Sequence, residues 1–252
     1  MPSIKFNRDF LLLAPGVVLR SQFPSELDSQ YKTLHLVLPP GKAYLQTPGP
    51  AYPVFAAGRI GQVVNHTALS NDVGVSSTTI KDWISALKAS FILSELPPFF
   101  ENIRKRVIKA PKFFFTDTGL ACHLLGVDTP QQAARDPLRG HLYENWMIVE
   151  ILKARLNRGL RPDLYFYRDS HGNEVDLIVR EAGRLYPVEI KSARTFTPEF
   201  LQGIDSFTQA AGRRAGAGTV FYDGDSAFTV KGIRVLNYLR HGHYDQIIRS
   251  AD

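Results

Sequence analysis

The sequence predicts an α/β protein: an α/β sandwich with a mixed sheet, preceded by a winged helix-turn-helix domain. Three observations carry that expectation. Residues 54–93 hold helical patterns with cap residues, divided by a glycine-containing turn. Residues 164–192 hold three strand-like runs, LYFYR, EVDLIVR and RLYPVEIKS, parted by the turns DSHGN and EAG. A helical pattern lies on each side of this meander, and a further apolar run, GTVFYDG, follows, an order that closes as helices packed on a sheet.

Composition bounds the class. The chain has 252 residues, 44% hydrophobic and 21% charged, with a formal net charge of +6, which excludes a disordered or low-complexity protein. Its single cysteine, Cys122, cannot close a bridge within the chain, so a disulfide scaffold is excluded and a cytoplasmic location is expected. The longest apolar run, residues 10–19, is interrupted by Pro15-Gly16 and falls short of the roughly 18 residues that span a bilayer. Arg20 closes it and no small-residue cleavage site follows, so neither a membrane partner nor a secretory signal is expected.

Residues 1–53 are rich in Pro and Gly (LPPGKAYLQTPGPAYP) and keep no helical or strand period, so they read as an irregular arm or a truncated remnant. Gly41-Lys42 resembles a phosphate loop only in part. Ala43 stands where Ser or Thr would bind magnesium and Leu36 where the first glycine belongs, so no ATP site and no ATPase activity are expected.

Residues 54–126 form the expected winged helix-turn-helix domain. A helix runs through Val64, Thr67 caps a short helix ending at Gly74, and Ser76 or Ser77 caps a longer one with Ile80, Ile84 and Leu87 on one face. The start of that second helix, at Ser77, Thr78, Thr79 and Lys81, is the expected DNA-reading element. FILSELPPF and VIKAPKFFFTD then read as strands joined by the basic turn ENIRKR, which puts Arg104, Lys105 and Arg106 on the wing. Residues 80–115 carry seven basic and three acidic side chains, a surface that draws phosphate backbones; its alternative is a solvated face. Phe113 to Phe115 fit strand core better than base stacking. His66, His123 and His171 lack metal-ligand spacing, and Cys122 reads as a small buried apolar residue.

Residues 127–138 (containing DTPQQAARDP) read as a linker, and 139–252 as the α/β domain. HLYENWMIVEILKARLNRG is a helix apolar on most sides and stopped by Gly159. After the meander, Thr197 or Pro198 starts a helix through Gln209, and GTVFYDG is the last strand.

The chemistry lies in the meander. Side chains alternate along a strand, so Glu174 and Asp176 share one face of the second strand, and Glu189 and Lys191 one face of the third. The EAG turn brings Asp176 near Glu189 across the ladder. Two converging carboxylates repel unless a cation sits between them, and Mg²⁺ or Mn²⁺ takes such hard oxygen ligands. The expected ligands are Asp176, Glu189 and the backbone carbonyl of Ile190, with Lys191 orienting or helping to deprotonate the attacking water and offsetting transition-state charge. The alternative is the wet face of an amphipathic hairpin.

A helix carrying Glu144, a strand with Asp176, Glu189-x-Lys191 on the next strand, then a helix and a strand resembles the PD-(D/E)xK nuclease fold of restriction and repair enzymes, over about 100 residues. The resemblance implies that Glu144, Asp176, Glu189 and Lys191 are its metal and catalytic residues. Val175 replaces the proline that names the motif. More broadly, RIGQVVNHTALSNDVGVSSTTIKDWISALKASFILSELPPF, RKRVIKAPKFFFTDTGLACHLLG, LYENWMIVEILK, YFYRDSHGNEVDLIV and PVEIK look like the carboxy-terminal region of a large prokaryotic family. There an AAA+-type ATPase module precedes a winged helix and a nuclease-like domain of unassigned function. Here the ATPase module and its phosphate loop do not occur in the sequence. The resemblance implies a DNA-associated, Mg²⁺-dependent nuclease-like protein, a metal-dependent DNA endonuclease if active. Its alternative is a non-catalytic DNA-binding or protein-interaction module, a remnant of an ATPase protein. Expected partners are DNA, with a further copy of the chain or a separate ATPase as candidates.

Overall fold

Two capped helices and a three-residue turn begin the part of the chain that this computed structural model describes, namely residues 56–100, 110–241 and 244–248. Ahead of residue 56 only two short strands, β1 (Leu12–Ala14) and β2 (Val17–Val18), are described, paired antiparallel. Gly41-Lys42 and the expected wing residues Arg104, Lys105 and Arg106 lie outside the described residues.

Helix α1 spans His66–Val73. Its cap is Asn65, whose side chain accepts from the Ala68 N–H at 3.0 Å, and not Thr67, which falls in the first turn. The helix stops at Gly74, where φ is +74°. Helix α2 (Ser77–Ala89) is capped by Ser76, which accepts from the Thr79 N–H at 3.1 Å; Ile80 and Ile84 are buried as the sequence suggests. The helix expected through Val64 breaks early. Residues 58–61 are turn, with Gly61 at φ +72°, and Val63 instead makes an antiparallel bridge to Lys112.

Strands β3 (Leu93–Leu96) and β4 (Lys112–Phe115) pair in a two-stranded ladder, with Phe114 and Phe115 buried. Helix α3 (Thr118–Leu124) carries the buried Cys122. Where the sequence suggests a linker, a short helix forms, α4 (Pro130–Arg135). Thr129 and Gln132 satisfy each other's orphan backbone donors in a capping box and Pro130 opens the first turn.

The chain divides into two units that interleave in sequence. One comprises Met1–Ile60, Asn65–Ser94 and Phe115–Arg139; the other comprises Gly61–Val64, Glu95–Phe114 and Gly140–Asp252. Strand β4 therefore contributes residues 112–114 to the second unit.

The second unit is mixed α/β. Helix α5 (Arg139–Leu156) buries Leu142, Trp146, Met147, Ile148 and Ile151, the all-round burial its composition implies. Strands β5 (Leu164–Arg168), β6 (Glu174–Glu181) and β7 (Arg184–Lys191) form the expected antiparallel meander. A 3₁₀ turn at Pro198–Leu201 and helix α6 (Gln202–Ala211) supply the crossover to β8 (Thr219–Tyr222), which lies parallel to β7. The sheet does not end there. A hairpin of β9 (Phe228–Val230) and β10 (Ile233–Leu236) completes a six-stranded mixed sheet, ordered β5-β6-β7-β8-β10-β9. Its two-residue turn places Lys231 and Gly232 at φ +52° and +77°, the twist a tight hairpin needs, although lysine gives no turn signal. Helices α7 (Tyr238–His241) and α8 (Tyr244–Ile248) follow.

Helix α6 covers one side of this sheet. Phe207 and Ala211 pack with Val175, Ile178 and Leu185, while Leu201 and Ile204 pack with Val220, Tyr222 and Val235. Its first turn lies so near β6 that a Cβ on Gly203 would stand 2.1 Å from the Glu174 carbonyl oxygen. The obstacle is backbone and cannot swing aside, so Gly203→Ala is expected to lower stability by about 1–3 kcal/mol in urea unfolding, as overpacked positions do. An unchanged midpoint would contradict this close approach.

Candidate active site

The β6–β7 register builds the site. Leu177 is paired with Val188 and Ile178 with Pro187. That register, carried one step past the last paired residues, sets Asp176 opposite Glu189. Asp176 exposes 15% of its side chain and accepts the Ile190 N–H at 2.8 Å, so a backbone donor of β7 fixes one carboxylate oxygen. Glu189 is 7% exposed. Lys191, next but one on the same strand, stands 2.5 Å from Glu189 Oε1 and 3.8 Å from Asp176 Oδ2. Glu189 Oε2 is buried and has no hydrogen-bond partner among the described residues.

The fourth expected residue, Glu144, projects from α5 and is also buried. Its Oε1 receives Lys112 Nζ at 3.2 Å and its Oε2 lies 3.7 Å from His141 Nδ1. Lys112 also reaches Glu174 Oε1 at 2.6 Å and sits 5.4 Å from the centre of the Phe166 ring. All of these residues belong to the second unit. In the sequence Lys112 stands out only as part of a basic run, and His141 carries no signal. The one signal in the sequence is the alternation in KFFF, which sets Lys112 on the same side of β4 as the buried Phe114.

Burial and mutual repulsion govern the charges. Burial first, and then Glu144, push the Asp176 carboxyl up to about 6. Burial, with Asp176 facing it, pushes Glu189 up to about 8. Burial alone would raise Glu144 as well, but Lys112 and His141 outweigh it and hold that carboxyl below its ordinary value. Burial works against the ammonium of Lys191, yet Asp176 and Glu189 overcome it and hold the lysine protonated. The same balance, with Glu144, Asp176 and Glu174 as the anions, raises Lys112.

Among the described residues no group of three or more His, Cys, Asp or Glu side chains is disposed to hold a metal ion. Mg²⁺ rarely asks for that many, being held by one or two carboxylates with waters and substrate oxygens. Asp176 and Glu189 meet this smaller requirement: both are hard oxygen donors, Asp176 raises the charging cost of Glu189, and Glu189 Oε2 has no hydrogen-bond partner among the described residues. The Ile190 amide is engaged with Asp176. On the first unit Ser77, Thr78 and Lys81 are exposed, while Thr79 is half-buried with its hydroxyl 2.9 Å from that of Ser76.

Residues 139–240 match a domain of unknown function (DUF4143), and residues 54–131 match a second domain of unknown function (DUF8612). The chain is similar to uncharacterized protein Mb2031c of Mycobacterium bovis and uncharacterized protein Rv2008c of Mycobacterium tuberculosis. It is 33% identical to each over 147 residues, which cover 58% of this chain and 32% of the relative. The chain thus spans about a third of the length of these curated relatives. No solved structure matches. No helix among the described residues is long and apolar enough to cross a membrane.

The raised carboxyls make stability depend on pH. Unfolded, Asp176 and Glu189 lose their protons near 3.8 and 4.5; folded, they retain them to about 6 and about 8. The folded state therefore binds more protons in this window, and their contribution to stability falls as pH rises through it. His141, raised chiefly by its hydrogen bond to Glu144, acts in the same direction above its ordinary 6.5. Thermal unfolding in metal-free buffer is expected to give a lower Tm at pH 8 than at pH 5, with a smaller drop in Glu189→Gln. Equal drops in the two proteins would contradict the assignment.

Proposed function

We propose that this chain is a DNA-associated, Mg²⁺-dependent nuclease-like protein that hydrolyses phosphodiester bonds and is targeted by a winged helix. The observation that carries the reading is the Asp176–Glu189 pair opposed across the β6–β7 ladder, with Lys191 against both carboxylates and one buried carboxylate oxygen left without a partner. Asp176 and Glu189 would hold the divalent ion. Bound there, the ion supplies Lewis-acid polarisation of a phosphate oxygen and acidification of a water. The Ile190 amide keeps Asp176 turned toward its neighbour. Lys191, held protonated, is a donor in this arrangement: it can bond a phosphate oxygen and offset charge that develops in the transition state.

Targeting rests on the basic run of residues 80–115 and on α2, whose exposed Ser77, Thr78 and Lys81 face solvent at the start of the second helix of a helix-turn-helix arrangement. The strands β3 and β4, with Arg104, Lys105 and Arg106 between them in sequence, supply the proposed wing. A separate ATPase or a further copy of the chain fits the resemblance as partner.

A specific observation favours a second reading, a non-catalytic DNA-binding or interaction module. Lys112 and Lys191 already pair with Glu144, Glu174 and Glu189, so much of the acidic cluster is neutralised by the chain itself.

Plasmid DNA separates the two. The nuclease reading expects the wild type to nick supercoiled plasmid with Mg²⁺ or Mn²⁺, and Asp176→Ala to lose both cleavage and the rise in Tm that metal produces. Lys191→Ala should keep the metal-induced rise but cleave about 100-fold more slowly, as enzymes do on losing one transition-state donor. A wild type that neither gains stability from metal nor nicks DNA would leave the non-catalytic module. For DNA binding, log affinity for duplex should fall with log salt by about 0.9 per phosphate contact, and Lys81→Ala should flatten that slope by about one unit. An unchanged slope would remove Lys81 from the interface.

A further inference from the structure

Lys112 is 5% exposed and carries its charge into the acidic cluster from β4, 32 positions before Glu144 in the chain. An ammonium at that depth is costly unless anions surround it closely. Here Glu144 Oε1 stands at 3.2 Å and Glu174 Oε1 at 2.6 Å. The Phe166 ring lies behind the ammonium. The other oxygen of Glu144 is covered too. His141 Nδ1 approaches it at 3.7 Å, and Gly61 lies so near that a Cβ there would stand 3.1 Å from Oε2. Gly61 meets this need for space and also holds φ +72°. Both oxygens of Glu144 are thus engaged or covered, whereas Glu189 Oε2, in the same cluster, meets no partner among the described residues.

We propose that Lys112 is a built-in second cation of this site, holding Glu144 and Glu174 so that a divalent ion binds at Asp176 and Glu189 alone, one per chain. The proposal rests on the metal-site reading above and deepens it. In phosphodiester chemistry a second metal ion clamps oxygens of the reacting phosphate alongside the first. In this chain the ammonium of Lys112 supplies positive charge to Glu144 and Glu174 instead. Lys112 acts as a positioning residue: it engages the Glu144 carboxylate and ties α5 to β4 through a charged hydrogen bond.

Counting metal tests this. Mn²⁺ is titrated into the metal-free full chain, with binding read by calorimetry and by the loss of the free-ion paramagnetic resonance signal. The wild type is expected to take one equivalent. Lys112→Met, with Glu144 and Glu174 released, is expected to take a second. Glu144→Gln is expected to keep the single equivalent with affinity changed less than threefold, since in this proposal Lys112, and not the ion, holds Glu144, in place of the ligand role the resemblance implies for it. Two equivalents in the wild type, a single equivalent in folded Lys112→Met, or a tenfold loss of affinity in Glu144→Gln would each overturn the proposal. Should Lys112→Met fail to fold, the wild-type count and Glu144→Gln decide it. A wild type that binds no Mn²⁺ overturns the metal-site reading itself, and this inference with it.

Discussion

Two carboxyl groups face one another across the β6–β7 ladder where water barely reaches them, and the surrounding residues are arranged around that repulsion. The β6–β7 register, extended one step past Leu177↔Val188, sets Asp176 and Glu189 opposite each other, so their backbones cannot separate without breaking that register. The chain answers the strain with donors: the Ile190 N–H to Asp176, Lys191 to Glu189, and Lys112 to the neighbouring Glu144 and Glu174. Among the described residues the answer is incomplete at one atom of this cluster, Glu189 Oε2. A buried acceptor without a donor is expensive, and a site that binds a cation is one of the few reasons to keep it.

The rest of the second unit serves that placement. Helix α6 packs Phe207 and Ile204 onto the sheet and comes close enough at Gly203 to touch the end of β6, where Glu174 begins the acidic run. Parallel pairing of β8 with β7, from Val188↔Thr219 to Lys191↔Tyr222, braces the strand that carries Glu189 and Lys191 along the stretch that matters. The strand bearing the chemistry is therefore interior to the sheet, rigid on both sides, as a site that must hold two like charges in place requires.

Much of this arrangement was legible in the sequence, for a physical reason. Period-two alternation in EVDLIVR and RLYPVEIKS, with a short turn between, determines both which side chains share a face and which meet across the ladder. Asp176, Glu189 and Lys191 therefore come together as expected. The cap at Ser76 and the burial of Ile80 and Ile84 follow equally from local rules. What escaped depends on information that local patterns do not hold. The β9–β10 turn uses Lys231 at positive φ, which no propensity favours. The helix α4 was hidden in a polar stretch, although Thr129-Pro130 and Gln132 spell its cap. Asn65 outcompeted Thr67 as the α1 cap because its side chain reaches the Ala68 N–H. Lys112 pairs with Glu144 and Glu174 only through tertiary folding, and the interleaving of the two units cannot be read from contiguous segments.

The central claim is that the opposed carboxyls of Asp176 and Glu189 form a divalent-ion site. Its most direct test is an anomalous difference map from a crystal of the wild-type chain soaked in MnCl₂. The account predicts one peak within coordination distance of both Asp176 and Glu189, about 2.1 to 2.3 Å from a carboxylate oxygen of each, with Lys112 still bonded to Glu144. A map with no peak between these two residues, while Mn²⁺ is seen elsewhere on the protein, would contradict it.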